Sequence, residues 1–227
     1  MRAIVLLSGG LDSATCFLIA RQEAEEVFAL SFDYGQRHRI ELERACGLAK
    51  RYGVAEHRII RLDYPSPSAS VLTDREREVP KHALGGEPIP VTYVPARNTL
   101  FLAHAVAWGE AVRAGDLYIG ANALDYSGYP DCRPEFLEAF ERVANLGTKA
   151  GIEGGLTFRI HAPLLRMTKG EIVGLAARLG LDFSLTTSCY DPSPGGIPCG
   201  ACDSCLLRAK GFQEANLEDP LRPFGSA

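Results

Sequence analysis

Six residues near the amino end, Ser8-Gly9-Gly10-Leu11-Asp12-Ser13, have the types and spacing of a phosphate-binding turn. The apolar run at 4–7 before them reads as a buried parallel strand. Gly9 and Gly10 let the backbone turn sharply and approach a ligand closely. A helix predicted over 12–22 follows, and its first unpaired N–H groups and its dipole favour an anion. The Ser8 and Ser13 hydroxyls add donors, and Asp12 suits a Mg2+ ion held on the same phosphates.

Neither a Gly-x-x-x-x-Gly-Lys-Ser/Thr loop nor a Gly-x-Gly-x-x-Gly fingerprint follows the first strand. The turn instead resembles the loop of the pyrophosphatase-type ATP enzymes. That resemblance implies cleavage of ATP between its α and β phosphates, with an adenylated intermediate. It makes Ser8, Gly9, Gly10, Leu11, Asp12, Ser13, Ala14 and Thr15 the expected ATP contacts. The plainer alternative is a Gly-rich strand-to-helix turn with an N-cap.

A second constellation lies near the carboxyl end. Cys189, Cys199, Cys202 and Cys205 form C-x9-C-x2-C-x2-C, interrupted by Gly195, Gly196, Pro198 and Gly200. Four thiolates so spaced can surround one ion, and four sulfurs suit a closed structural Zn2+ site. An iron–sulfur cluster and a redox C-x-x-C pair are the rivals, separable by visible absorbance. The other three cysteines, Cys16, Cys46 and Cys132, bring the total to an odd seven. With no leader segment evident, that argues for a reducing cytoplasm over a disulfide scaffold.

Strand and helix patterns alternate along the chain. Strands are predicted at 4–7, 27–32, 57–62, 117–120 and 158–162. Helices are predicted at 12–22, 37–52, 98–114, 134–147, 168–179 and about 203–215. Thr168 and Glu171 form a capping-box pattern. Residues 64–95 have no sustained period, and so long a connection is usually functional or mobile. Alternation of this kind means a doubly wound α/β fold with a parallel five-stranded sheet. The loops starting at Ser8, Asp33, Ala121 and Leu164 each follow a strand, so they should converge at one sheet edge. Residues 1–184 form the expected ATP-binding domain, with 185–227 a cysteine segment packed on it.

The 227 residues are 46% hydrophobic with a net charge of −4. This supports a sizeable core and gives no global basic footprint for nucleic acid. No apolar run approaches a membrane span.

Further segments must be taken with the turn: Asp33-Tyr34-Gly35-Gln36-Arg37-His38, Val94-Pro95-Ala96-Arg97-Asn98, Asp125-Tyr126-Ser127-Gly128-Tyr129-Pro130-Asp131-Cys132-Arg133, and the four cysteines. The combination resembles the 7-cyano-7-deazaguanine synthases of the queuosine pathway, from Ser8 to Cys205. The resemblance implies an adenine nucleotide alpha hydrolase-like fold. It also implies conversion of 7-carboxy-7-deazaguanine and ammonia to the nitrile with ATP, Mg2+ and a structural Zn2+. A homodimer is implied, and the apolar helix from Asn98 is a candidate face.

Site roles follow as expectations. Asp12, Arg97 and Lys169 serve the phosphates, Arg97 as a bidentate donor and Lys169 from its strand-to-helix turn. Asp131, then Asp125, accepts from the guanine-like edge. Tyr126 or Tyr129 stacks on the ring, and Arg133 meets the substrate carboxylate. Cys132 is read as packing. Asp33, Arg37 and His38 are candidates for adenosine or metal contacts, His38 more as a loop stabiliser. The rival enzyme is a tRNA-modifying adenylating ligase of the thiolation or lysidine type, which the acidic balance disfavours. A nucleotide sensor without turnover is the rival outside catalysis.

Overall fold

The computed structural model describes residues 1–64, 70–84, 89–122, 124 and 128–221. Five strands run in parallel: β1 (Arg2–Leu6), β2 (Glu26–Asp33), β3 (Glu56–Arg61), β4 (Asp116–Tyr118) and β5 (Arg159–His161). Their order is β3-β2-β1-β4-β5. The chain winds outward from β1 to β3 and then crosses back to β4. The switch point therefore falls between β1 and β4, where open α/β sheets bind ligands.

The period-two alternation of β1 and β2 divides the core. Ile4, Leu6, Phe28, Leu30 and Phe32 face one layer with Leu102, Trp108 and Leu137. Ala3, Val5, Leu7, Val27 and Ala29 face the other with Phe17, Leu48 and Ile172. Helices α3 (Arg97–Val112) and α4 (Pro134–Leu146) supply the first layer. Helices α1 (Leu11–Glu23), α2 (Ile40–Tyr52), α6 (Lys169–Arg178) and α7 (Asp203–Glu214) supply the second. Both faces of the central strands are covered, which is why they read as continuous apolar runs.

The elements match the predicted ones closely, and the departures have local causes. Helix α2 begins at Ile40 rather than 37. Arg37 is taken up by the long connection instead: its N–H donates to the Leu72 carbonyl at 3.0 Å and its guanidinium to the Arg77 carbonyl at 3.0 Å. The four-residue helix α5 (Lys149–Ile152) is too short for periodicity to reveal. The Thr168–Glu171 capping box forms in both directions, at 2.8 and 3.2 Å. The described parts of 64–95 are anchored: Val71 N–H bonds the Val91 carbonyl, and Ser70, Val71, Leu72 and Val79 are buried. Residues 81–83 pair with the cysteine segment through Lys81–Cys202 and through His82 N–H to the Ala201 carbonyl.

Gly120, at the carboxyl end of β4, passes against the start of α1. A Cβ there would stand 2.9 Å from Ser13 N and 3.0 Å from the Asp12 carbonyl carbon. Gly47, within α2, would meet nothing within 4 Å. Gly120→Ala is expected to lower unfolding free energy in urea by about 1–3 kcal/mol through overpacking. Gly47→Ala should raise it by about 0.5–1 kcal/mol through helix propensity.

Candidate active site and cysteine cluster

The phosphate turn is fixed by its own side chains. Ser8 N–H donates to Ser13 Oγ at 3.2 Å, Gly10 N–H to Ser8 Oγ at 3.2 Å, and Ser13 Oγ to the Gly10 carbonyl at 3.0 Å. Gly9 has φ +94°, and a Cβ on it would lie 2.1 Å from the Glu41 carbonyl oxygen. Only glycine fits so close to α2.

A cavity opens above this turn. All four strand-following loops contribute to it: Ser8, Gly10, Leu11, Asp12 and Ser13 after β1, Tyr34, Gln36 and His38 after β2, Ala121 and Asn122 after β4, and Lys169 after β5. Asn122 ties two of these loops together, its Nδ2 donating to the Leu164 and Met167 carbonyls at 3.0 and 2.7 Å. The expected convergence is what the sheet produces.

The three residues expected to serve the phosphates all reach the cavity. Lys169 is 5% exposed, and its Nζ lies 2.8 Å from both carboxylate oxygens of Asp12. Arg97 lies half-buried at the start of α3, its Nη1 donating to Tyr34 OH at 3.4 Å. The start of α3 is capped from a distant loop, because Asn98 N–H donates to Asp131 Oδ2 at 2.9 Å. Asn98 Nδ2 donates to the Asp131 carbonyl at 3.0 Å and to Cys132 Sγ at 3.3 Å.

The 125–133 loop divides. Tyr129 and Cys132 line the cavity; Asp131 is buried beside it, and Arg133 is exposed at the N-cap of α4. Tyr129 OH is 2.7 Å from Thr92 Oγ1. Asp125 and Tyr126 lie outside the described residues. Burial pushes the Cys132 thiol up to about 11, so it is a neutral packing group at pH 7. Asp33 lines a neighbouring cleft with Arg39, Arg61 and Arg75, and Tyr34 borders both spaces.

Several lining residues were not singled out in the sequence. Ser188, Tyr190, Ser204 and Arg208 come from the cysteine segment. Arg208 is held by Asp219 through Nε–Oδ2 at 2.7 Å and Nη2–Oδ1 at 2.9 Å, and it donates to Thr186 Oγ1 at 2.8 Å. The usable signal was its place three residues after Cys205, on the same helix face. Glu41 also lines the cavity, from the first turn of α2. Its carboxylate is 3.5 Å from His38 Nε2, but this is not an ion pair at neutral pH. Burial drives the imidazole down to about 3 and the carboxyl up to about 8, Arg97 working against the second shift.

The sulfurs of Cys189, Cys199, Cys202 and Cys205 all lie within 4.8 Å of one another. Sulfurs about 2.3 Å from a shared Zn2+ stand about 3.8 Å apart, so the group fits a tetrahedral ion. Backbone N–H groups of Asp191 and Cys199 donate to Cys189 Sγ at 3.3 and 3.2 Å, and that of Cys202 to Cys199 Sγ at 3.4 Å. Such donors stabilise thiolate charge around a metal.

A doubly wound parallel sheet with a phosphate turn at its switch point and a four-cysteine knuckle beside it defines a nucleotide-binding α/β protein. The chain belongs to the QueC family, the queuosine biosynthesis proteins, whose profile matches residues 2–216. It is 56% identical to a 7-cyano-7-deazaguanine synthase of Geobacter metallireducens, over 97% of this chain and 92% of that protein. It is equally 56% identical to one of Pseudomonas putida, over 98% of each chain. A solved structure of NMN synthetase from Francisella tularensis aligns over 98% of this chain and 89% of that chain, at TM-score 0.47 and 14% identity.

Cys202→Ser is expected to abolish stoichiometric zinc, measured by plasma emission on the purified chain. It should also lower the thermal midpoint, because structural zinc contributes on the order of 10 kcal/mol to local folding. Full zinc content in this variant would refute the four-sulfur site.

Proposed function

We propose that the chain is a 7-cyano-7-deazaguanine synthase that activates its acid twice with ATP. One observation supports this reading beyond family membership: the phosphate turn, Arg97 and Lys169 open into one cavity at the sheet's switch point. A carboxylate is a poor electrophile, so the acid attacks the α phosphate and pyrophosphate leaves. Ammonia then attacks the acyl adenylate, a C–N bond forms, and AMP departs. The amide oxygen takes a second adenylate, and loss of AMP with two N–H protons leaves the nitrile. No covalent enzyme intermediate is needed, so catalysis is positioning and charge stabilisation.

The turn from Ser8 to Thr15 grips the phosphates, and Asp12 would hold a Mg2+ ion, which would supply positive charge to the leaving pyrophosphate. Arg97 and Lys169 face the same charge as fixed donors. Asp131 serves the site through Arg97, since it caps the helix that carries that arginine. Tyr129 offers the ring face for the deazaguanine, and Asp125, Tyr126 and Arg133 remain candidates for its polar edge and carboxylate. The zinc knuckle is structural: its ligands are all sulfur, and it carries Ser188, Ser204 and Arg208 to the cavity.

Among the described residues no helix is long and apolar enough to cross a membrane. The proposed setting is the cytoplasm, with ammonia and no nucleic acid as partner. Helix α3 buries Leu102, Ala105, Val106 and Trp108 against the sheet, yet its outward side is also apolar at Leu100, Ala103, Ala107 and Ala111. This supports a homodimer across α3, which light scattering on wild type and Ala107→Glu would test; the variant is expected to be monomeric.

The main test is mass spectrometry of the product from the purified chain, Mg-ATP, ammonium and the acid. The nitrile should appear with two AMP per molecule. Lys169→Met should reduce turnover at least as far as losing one oxyanion donor does, about 10²–10³-fold. Turnover without AMP would overturn the reading.

A further inference from the structure

Glu41 is an ionisable side chain in the cavity to which the steps above assign no role. Glu41 projects from the first turn of α2, and its side chain is 14% exposed. Its Oε1 lies 3.8 Å from where a Cβ on Gly10 would stand, which puts the carboxyl at the phosphate turn itself. Among the described residues, its polar contact is His38 Nε2 at 3.5 Å, too long for a hydrogen bond. A largely enclosed carboxyl with so little support is costly, and in a cavity it is a candidate functional group.

We propose that Glu41 is the proton acceptor for the nitrogen steps of the synthase reaction, an inference that rests on the reading above. Attack of ammonia on the acyl adenylate forms a C–N bond and leaves an ammonium-substituted tetrahedral carbon. That nitrogen must lose a proton before the C–O bond to AMP breaks. Glu41 takes it and becomes the neutral acid. After the second adenylation the nitrogen carries two protons, and both must leave as the nitrile forms and AMP departs. Glu41, having returned its first proton to water, accepts one of these, passes it to water, and accepts the other as AMP leaves.

The surroundings suit this task. Burial raises the carboxyl to about 8, with Arg97 opposing, which places it near the range of useful bases at neutral pH. The charged or titratable groups that line the same cavity are Tyr34 and His38 before α2, Asp12 on α1, Arg97 on α3, Tyr129 and Cys132 of the 125–133 loop, Lys169 on α6, Tyr190 of the cysteine segment and Arg208 on α7. Among these, Lys169 is already committed to Asp12 and Arg208 to Asp219. His38, beside it, packs at 6.0 Å against the Tyr190 ring.

The two half-reactions can be measured apart. ATP–pyrophosphate exchange with the acid and without ammonium reports adenylation alone. Glu41→Gln keeps the shape and removes the basicity, so its exchange should stay near the wild-type rate. Amide and nitrile formation should fall by about 10²–10⁴-fold. In wild type, single-turnover amide formation from preformed acyl adenylate should rise as pH passes through about 8, the point at which Glu41 loses its proton. That inflection should vanish in Glu41→Gln, and formate should partly restore Glu41→Ala. If Glu41→Gln does not fold, Glu41→Asp carries the test, with exchange retained and amide formation reduced.

Equal loss of exchange and amide formation, with a raised Mg2+ requirement, would make Glu41 a metal ligand and overturn the proposal. A raised KM for the acid at unchanged kcat would make it a contact to the base and do the same. Wild type that releases no AMP with acid and ammonium would instead defeat the synthase reading, whatever Glu41→Gln does.

Discussion

The site depends on how closely three stretches of backbone pass at Gly9. The Glu41 carbonyl of α2 presses where a side chain would stand, and Thr187 N–H donates to the Gly9 carbonyl at 3.0 Å. The phosphate turn is thus held from one side by a helix of the nucleotide-binding sheet and from the other by the cysteine segment. Neither contact involves a side chain of the turn, so Ser8 and Ser13 stay free to shape it from within. A turn held this way is preorganised, and preorganised donors cost no rearrangement when charge moves in the transition state.

The charges near the turn follow the same economy. Asp12 and Lys169 are 18% and 6% exposed and face each other at 2.8 Å. A buried pair of this kind adds little net stability, because desolvation offsets most of the attraction. Its effect is geometric. Lys169, at the start of α6, is directed into the cavity from β5's side of the sheet while Asp12 enters from β1's, and Gly120 lets the intervening loop lie close against the backbone of Asp12 and Ser13. The pairing joins two residues that the sequence suggested as separate contacts, to metal and to phosphate.

How much of this could be read from the chain follows from the range of each interaction. The strands, the helices and the phosphate turn were legible because period, caps and glycines are local. The convergence of four loops was legible because parallel topology forces it. The cap that Asp131 gives to α3 was not, since 33 residues separate donor and acceptor. A loop rich in Asp, Tyr and Gly suggested base recognition throughout. The structure gives the cavity Tyr129 and Cys132 and spends one oxygen of Asp131 on a helix start. Glu41 escaped notice because a glutamate in the first turn of a helix is ordinarily there for the dipole. Only the burial of its carboxyl beside Gly10 distinguishes it, and burial is a tertiary property.

The cysteine segment would hold a structural metal beside the cavity. Its four sulfurs draw Cys189, Cys199 and the start of α7 into one knot. Arg208 lies one turn beyond Cys205 and is fixed by Asp219 and Thr186, so the knot also fixes where a buried guanidinium meets the cavity. Ser188 and Tyr190 flank Cys189 and line the same wall. Apart from Phe212 and the small Leu185 and Ala215 contacts, this segment's buried core residues are its own cysteines, with Tyr190 packed on them, so apolar packing gives it little hold. A metal held by the four sulfurs would make up for that missing hydrophobic area, and the same segment supplies the Thr187 contact to Gly9. Through the Thr187 N–H bond to the Gly9 carbonyl, the cysteine segment is joined directly to the glycine turn.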